Sequence, residues 1–394
     1  MKKPFLFPLV LIGSLLLSAC AGGGVVSFTC TDPLGCVEIK AGGPIRIATI
    51  LTMTGPDAVY GIDAVRGVEI AVAETGKLLG HPIELIKQDD RCEESGGQEA
   101  AELVAQDPQI VGAIGATCSS SSVPAAKILT DAGMVLISPS STAPSLTDPV
   151  AHQAGFLRSI YNDKAQGKSV AEFAFNVLGL RRMVTMHDGT PYPEELQAAA
   201  CESFHQLGGE CLAQIQLSAG QDMQALLQYV NGLDPDVLYF PLYTVDGVAV
   251  VKDVAAAGMT GPAMMSSDGL ISPDFIEQTT PASEGMYLSG PADVEESESF
   301  AAKYKQTYGE DPIASYHLQA YDATNMLFYA LQQAALVVGD SLYIQRQKLR
   351  EALFTMHGIQ GLSGVLTCSS VGDCAAPNIE IFQIVNQDFL PIFP

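Results

Sequence analysis

The sequence predicts an α/β protein of two lobes, each a doubly wound parallel sheet, with a ligand cleft between them. Three observations carry that expectation. Short β-branched runs alternate with amphipathic helical stretches from Pro44 onward, and repeated βα units of this kind build parallel sheets covered on both faces. The same alternation restarts after Arg158, which makes two sets. The 394 residues, 47% hydrophobic and 16% charged, amount to about two domains at roughly 100–200 residues each, with no signature of disorder.

The chain opens MKKPFLFPLVLIGSLLLSAC, two lysines before an apolar run from Phe5 to Leu17. That run is too short for a permanent membrane span and suits a secretory signal. Leu17-Ser18-Ala19-Cys20 resembles a bacterial lipobox, so 1–19 reads as a signal peptide and Cys20 as the lipidated residue. An ordinary signal peptide with a chance cysteine is the plainer alternative. Residues 20–43, beginning with AGGGVVS after Cys20, read as a lipid-anchored tether.

PIRIATIL (44–51) reads as a buried strand running into the loop TMTGPDAVYG, and the next helix places Val65, Val68 and Val72 at i, i+3 and i+7. HPIELIKQDD is a strand, EESGGQEAAELVAQD a helix and QIVGAIGAT a strand. SSSSVPAAKILTDA is a helix with serine available at its cap and Pro124 in its first turn. MVLISPSS closes the first set as a strand. In the second set KAQGKSVAEFAFNVL and PYPEELQAAACESFHQLG are helices around the strand RMVTMHD. CLAQIQL, DVLYFPLY and PAMMSSD follow as strands, with helices at 223–232 and 246–258. Residues 296–358 read as helix-rich and 364–394 as a β-rich end that completes the earlier lobes, so the chain crosses between them more than once.

Composition narrows the function. Asp and Glu number 44 against 20 Lys and Arg, a net charge of −24; such a surface repels phosphate, which excludes nucleic acid as a partner. Of nine cysteines, eight remain once Cys20 is set aside, an even number that suits an oxidising compartment. The spacings suggest the local pairs Cys30–Cys36, Cys201–Cys211 and Cys368–Cys374, with Cys92 and Cys118 remaining for each other. The connectivity stays open at this level. No C-x-x-C, G-x-S-x-G, H-E-x-x-H, G-x-G-x-x-G or Walker loop occurs. No catalytic residue, metal site or cofactor is therefore expected. A hydrolase built from His187, Asp188 and Ser119 is a remote alternative, and the Asp89-Asp90 doublet reads as a solvated strand end rather than a metal site.

In open α/β sheets ligands bind beyond the carboxyl ends of the strands. Here those ends carry TGPDAVYG, ATCSSSS, SPSST, HDGTPY, LYTVDG and SSDG. The serine run enters a helix N-terminus, where free backbone N–H groups and the dipole favour an anion. SPSST (138–142) offers further hydroxyls, and SSDG (266–269) adds an acid from the other lobe. Hydroxyls for a carboxylate and one Asp for a cation describe a receptor for a small zwitterion.

The strings TMTGPDAVYG, QDDRCEE, GATCSSSSVPAAKIL, GMVLISPSSTAPSLT, HDGTPYPEEL and SSDG, in this order, resemble the branched-chain amino-acid (Leu/Ile/Val) binding proteins of bacterial ABC transporters from Pro44 to the end. The resemblance implies the type I periplasmic binding fold with three crossovers between lobes, here 44–160 and 288–364 for the first and 161–287 and 365–394 for the second. It implies that Ser119, just after Cys118, holds an α-carboxylate, and that Thr142 helps bind the zwitterion beside a backbone contact from Ser141. Tyr60, Tyr192 and Tyr243 would line the pocket, and Asp268 would pair with the ammonium. It also implies a Cys92–Cys118 disulfide and ABC permease subunits as partners of a monomer anchored outside a bacterial cytoplasmic compartment, in the periplasm if the cell is Gram-negative. Asp268 departs from a frequent Glu, Thr117 from a larger apolar residue, and the three local disulfides are unusual. An aliphatic amino acid is the expected ligand. A sensory lipoprotein, or a binder of an amide, urea or aromatic acid, is the same-fold alternative.

Overall fold

The computed structural model describes residues 28–292 and 295–394. Its first sheet orders the strands Lys77–Leu78, His81–Gln88, Ile45–Ile50, Ile110–Gly115, Leu136–Ser138 and Phe156–Arg158, all parallel except the short first one. Alternate residues explain why the central strands are mostly apolar. Ile45 and Ile47 face a core with the helices Ala58–Thr75 and His317–Ala334. Ala48 and Ile50 face the opposite core, with Glu94–Ala105 and Ser119–Asp131. A strand covered on both faces must be apolar throughout, and every residue of Ile110–Gly115 is buried.

The second sheet runs Asp388–Phe393, Ile379–Val385, Tyr287–Pro291, Ala263–Ser267, Val237–Tyr239, Arg182–His187 and Glu210–Gln216. Met223–Gly232, Thr244–Ala256 and Pro273–Thr279 cover one face, and Asp163–Glu172 with Pro191–Gln206 cover the other. The chain leaves the first lobe after Arg158, returns after Pro291 and crosses again between Asp373, which bridges Arg158, and Ile379. These are the three crossovers of the expected fold.

Some details differ from the sequence reading. The second half of the expected tether is structured: Cys36–Ile39 pairs antiparallel with Ser341–Gln345, itself paired with Ala335–Val338. Asp32 accepts from the backbone N–H groups of Gln347 at the start of helix Arg346–Phe354 and of Leu34, fixing this segment to the first lobe. The hairpin interrupts a stretch expected to be helical, because Gly339-Asp340 forms a tight turn, with Gly339 at φ +60°, between β-branched Val337-Val338 and Tyr343. Residues 365–366 pair with 359–360, and Asp373 lies against Arg158, so the chain up to Ala375 stays beside the first lobe rather than starting the second at 365. Pro124 sits in the second turn of its helix, not the first, because the helix begins at Ser119 with Cys118 at the cap. Residues 173–177 continue their helix as a π turn.

Four disulfides form as the spacings suggested: Cys30–Cys36, Cys92–Cys118, Cys201–Cys211 and Cys368–Cys374. Among the described residues no helix is long and apolar enough to cross a membrane. Cys20 and the signal sequence lie outside the described residues.

Peptide mapping of exported protein under non-reducing conditions should recover those four bridges and no free thiol among the eight cysteines. Loss of the Cys92–Cys118 bridge by paired alanine substitution should lower stability by about 2–4 kcal/mol in denaturant titration. Free thiols at 92 and 118 in exported protein would contradict the pairing.

Candidate functional site

The first-lobe wall of the cleft begins with a buried acid. Asp90, at the end of the second strand, is fully buried and accepts from Thr52 Oγ1, Cys92 N (3.0 Å), Thr117 N (2.8 Å) and Ser121 Oγ (3.1 Å). Burial raises its carboxyl above the ordinary range while these four bonds pull it down. The expected solvated strand end is instead the tie between three strand ends and a helix. Its neighbour Asp89 is likewise engaged, accepting from Met53 N and Thr54 Oγ1. The two glycines at 96–97 allow the next helix to sit on this tie: a Cβ would meet Asp90 O at 2.0 Å from Gly96 and Ser121 O at 2.2 Å from Gly97.

The serines divide into builders and one site residue. Ser122 donates to or accepts from Ser141 Oγ (2.8 Å), Ser138 Oγ donates to Ala116 O (2.7 Å), and Ser140 Oγ donates to Thr117 O (2.7 Å). Ser141 Oγ also reaches Ala116 O. The hydroxyls expected to serve a ligand thus mostly hold the two loops together. Ser119, in the first helical turn, accepts from Ala143 N at 3.2 Å and is buried. Cys118 beside it is locked in its disulfide. Arg158 completes the wall, donating to Ser141 O (3.2 Å) and Ala143 O (3.0 Å) while paired with Asp373 at 2.6 Å.

The second lobe contributes Asp268, 2% exposed. Its Oδ1 accepts from Gln166 Nε2 and Tyr192 OH, both at 2.8 Å, and its Oδ2 from Tyr316 OH at 2.8 Å. Burial pushes its carboxyl up, and those three bonds oppose the push. Tyr316 belongs to the first lobe, so this is a contact between lobes. Tyr60 makes another, donating to Gly269 O at 2.6 Å. Further links join Thr244 N to Asp57 Oδ1 (3.3 Å) and Ser145 to Glu195 (2.8 and 2.6 Å). Tyr243 packs its ring 5.1 Å from that of Tyr192.

The structure therefore brings Ser119, Thr142, Tyr60, Tyr192, Tyr243 and Asp268 to the facing lobes. It also supplies residues that sequence reasoning missed: Tyr161, Asp163, Gln166, Tyr239 and Tyr316. Asp163 and Gln166 share one face of a helix start, three residues apart; YNDKAQG carried that signal. Asp163 is fully buried, and its oxygens make no hydrogen bond of ordinary geometry, with the Thr142 hydroxyl as the neighbouring donor. The hydroxyls of Thr142, Tyr161 and Tyr239 and the amide oxygen of Gln166 are likewise buried without bonds of ordinary geometry. Burial, then the neighbouring charge of Asp268, raise the Asp163 carboxyl well above its usual range, against the Thr142 hydroxyl and Arg158. No hydrogen bond joins His187 to Ser119, and no group of three metal-binding side chains occurs among the described residues.

The sequence profile of the periplasmic binding protein family matches residues 44–386. The Leu/Ile/Val-binding protein of Escherichia coli strain K12 is 27% identical over 299 residues, covering 74% of this chain and 80% of its own. An amino acid binding protein of Pseudomonas aeruginosa is 28% identical over 264 residues, 66% of this chain and 67% of its own. Among solved structures, a leucine binding protein of Thermotoga maritima superposes with a TM-score of 0.80 at 26% identity, covering 88% of this chain and 97% of that one.

A carboxyl raised on folding binds more protons in the native than in the unfolded state. Stability then falls as pH rises from the ordinary carboxylate range toward the folded value, and stays reduced above it. Asp163→Asn should therefore raise the melting temperature of ligand-free protein at pH 7.5, with the gain shrinking toward pH 4. Thermal unfolding of both proteins across that range checks the sign; a variant less stable at pH 7.5 than at pH 4, relative to wild type, contradicts it.

Proposed function

The chain belongs to the periplasmic binding protein family and is a solute-binding protein of the branched-chain amino-acid ABC transporter type; from that premise we propose that it captures a small amino-acid zwitterion, an aliphatic one, and delivers it to an ABC permease as a lipid-anchored monomer. The observation that carries this reading is the presence of Ser119, at a helix N-terminus in one lobe, and of buried Asp268, which the other lobe carries and which meets the first lobe through Tyr316.

Each end of a zwitterion has its counterpart. The first turn of Ser119–Asp131 contains no acidic side chain, and the helix dipole favours a carboxylate there. Asp268 has accepted three bonds of about four available to a carboxylate, which leaves Oδ2 room for one ammonium N–H. A ligand touching both lobes favours the arrangement in which they meet, through contacts that the open arrangement lacks. Tyr60 and Tyr316 add lobe-to-lobe bonds to the same closure. The relatives named for binding leucine, isoleucine and valine support the aliphatic side chain. The lipobox-like LSAC at 17–20 supports the anchor.

Calorimetry with leucine and its des-amino analogue, 4-methylpentanoate, tests recognition. Asp268→Asn should weaken leucine by about 1.5–3 kcal/mol, roughly 10- to 150-fold, and leave the des-amino acid nearly unchanged. Ser119→Ala should cost less, because backbone N–H groups still hold the carboxylate. Equal weakening of both ligands would make Asp268 structural, and a wild type that binds no amino acid would end the zwitterion reading.

Intact-mass measurement of protein from the native envelope should show an N-terminus at diacylated Cys20, and Cys20→Ser should release the protein from membranes or block processing. An unmodified N-terminus elsewhere would end the anchor.

A further inference from the structure

Thr142 lies in a stretch whose backbone carbonyls are all held from outside it. Arg158 Nη1 donates to Ser141 O at 3.2 Å and to Ala143 O at 3.0 Å, the carbonyls on either side of Thr142. Thr142 O accepts from Asp163 N at 3.0 Å. The Thr142 hydroxyl itself is buried and makes no bond of ordinary geometry. Arg158 is fully buried, and its Nη2 donates to Thr147 Oγ1. A guanidinium is a rigid plane of donors, so whatever fixes its Nε also fixes where Nη1 points. Here that is Asp373, 215 residues away in the chain, whose Oδ1 accepts from Nε at 2.6 Å.

Asp373 is held in turn. It sits in a loop closed by the Cys368–Cys374 bridge. Inside the loop Asp373 N donates to Ser369 Oγ (3.1 Å) and Ser369 N donates to Asp373 O (2.7 Å). The loop docks on Arg158 by two backbone bonds, Arg158 N to Gly372 O (2.9 Å) and Cys374 N to Arg158 O (3.1 Å). Gly372, at φ +93°, permits the approach: a Cβ there would meet Phe156 O at 2.4 Å.

We propose that this disulfide-closed loop is a positioning device for the ligand: Asp373 sets the plane of Arg158, and Arg158 sets the Ser141–Ala143 segment that presents Thr142 to the zwitterion. This rests on the amino-acid reading above and extends it to a residue that acts on the ligand only through two others. A buried cation that loses its carboxylate is left uncompensated, so removing Asp373 both unbalances Arg158 and frees its plane to turn. The bridge keeps the loop ordered before Arg158 engages it, so little chain freedom is lost on docking.

A double-mutant cycle, read by calorimetry with leucine, tests the linkage. Asp373→Asn keeps the shape and one acceptor oxygen but removes the charge, and should weaken leucine roughly tenfold, the low end for one charge-assisted bond. Thr142→Ala should weaken it too. In the Thr142→Ala background the Asp373→Asn change should cost no more than about threefold, because residues that act through one another are non-additive. Opening the bridge with Cys368→Ala/Cys374→Ala should weaken leucine in the same direction, and again less in that background. A merely structural Asp373 would lower the melting temperature and cost the same factor in both backgrounds, which overturns the proposal. Leucine binding left unchanged by Thr142→Ala or by the bridge variant overturns it as well. If Asp373→Asn does not fold, the bridge variant carries the cycle alone. If neither folds, hydrogen exchange of wild type decides: coupling is reciprocal, so saturating leucine should slow exchange of the Cys374 N–H at least about fivefold, and a smaller change overturns the proposal. A wild type that binds no amino acid refutes the parent reading instead, so the two failures are distinguishable.

Discussion

The first-lobe half of the cleft depends on one buried carboxylate. Asp90 draws two backbone N–H groups and two hydroxyls, from Thr52, from its own loop at Cys92 and from the 117–121 segment, onto its oxygens. A parallel sheet leaves its strand ends as loops with unsatisfied polar groups, and buried ones need partners. Placing one acceptor among them satisfies several at once and fixes the loops relative to one another. The Cys92–Cys118 bridge closes around the same point, so covalent and hydrogen-bonded ties converge on the residue that precedes Ser119. Removing Asp90 would strand the Thr52 hydroxyl and the N–H groups of Cys92 and Thr117, which offsets the cost of burying an ionised group.

A second acid does for the helices what Asp90 does for the strands. Asp63, within the first long helix, accepts from the backbone N–H groups of Tyr316 and His317, both at 2.9 Å, and from Tyr304 OH at 3.1 Å. It thereby satisfies donors at the start of helix His317–Ala334, which has no capping side chain of its own. That fixes Tyr316, whose hydroxyl crosses to Asp268. Gly67 allows the two helices to approach, since a Cβ there would meet His317 O at 2.1 Å. The closure contact thus rests on the packing of two helices of 18 residues each rather than on a loose loop.

The sequence made the sheets legible because both faces are covered. Runs such as IVGAIG have no polar position to confuse with a loop, and helix SSSSVPAAKILTD announces its start with serines. What stayed hidden depended on partners far away in the chain. Cys36–Ile39 looks like a tether until residues 342–345 pair with it, and Asp90 looks like a solvated end until Thr52 and Thr117 surround it. The same holds in the site. Ser119 and Asp268 stood out through strings that punctuate strand ends, whereas Asp163 begins a helix, where an acid in the first turn is commonplace. Its unusual character is burial without a hydrogen bond of ordinary geometry, and that is a property of three dimensions alone.

The side chains around Asp268 suit the ammonium contact proposed for it. Its oxygens receive an amide and two phenol hydroxyls, donors that are polar but uncharged. An arginine or lysine in the same place would stabilise the carboxylate more strongly, yet would cancel the charge that an ammonium needs. At an effective dielectric of about 20, two unit charges 4 Å apart interact by about 4 kcal/mol, so a resident cation would remove most of the attraction. Neutral donors instead offset part of the burial penalty while leaving the field intact. Tyrosine suits this role doubly, since its ring also excludes water from the cleft and keeps that field unscreened. On the proposed reading, the arrangement accepts reduced stability without ligand in exchange for a site whose electrostatics an arriving ammonium would complete.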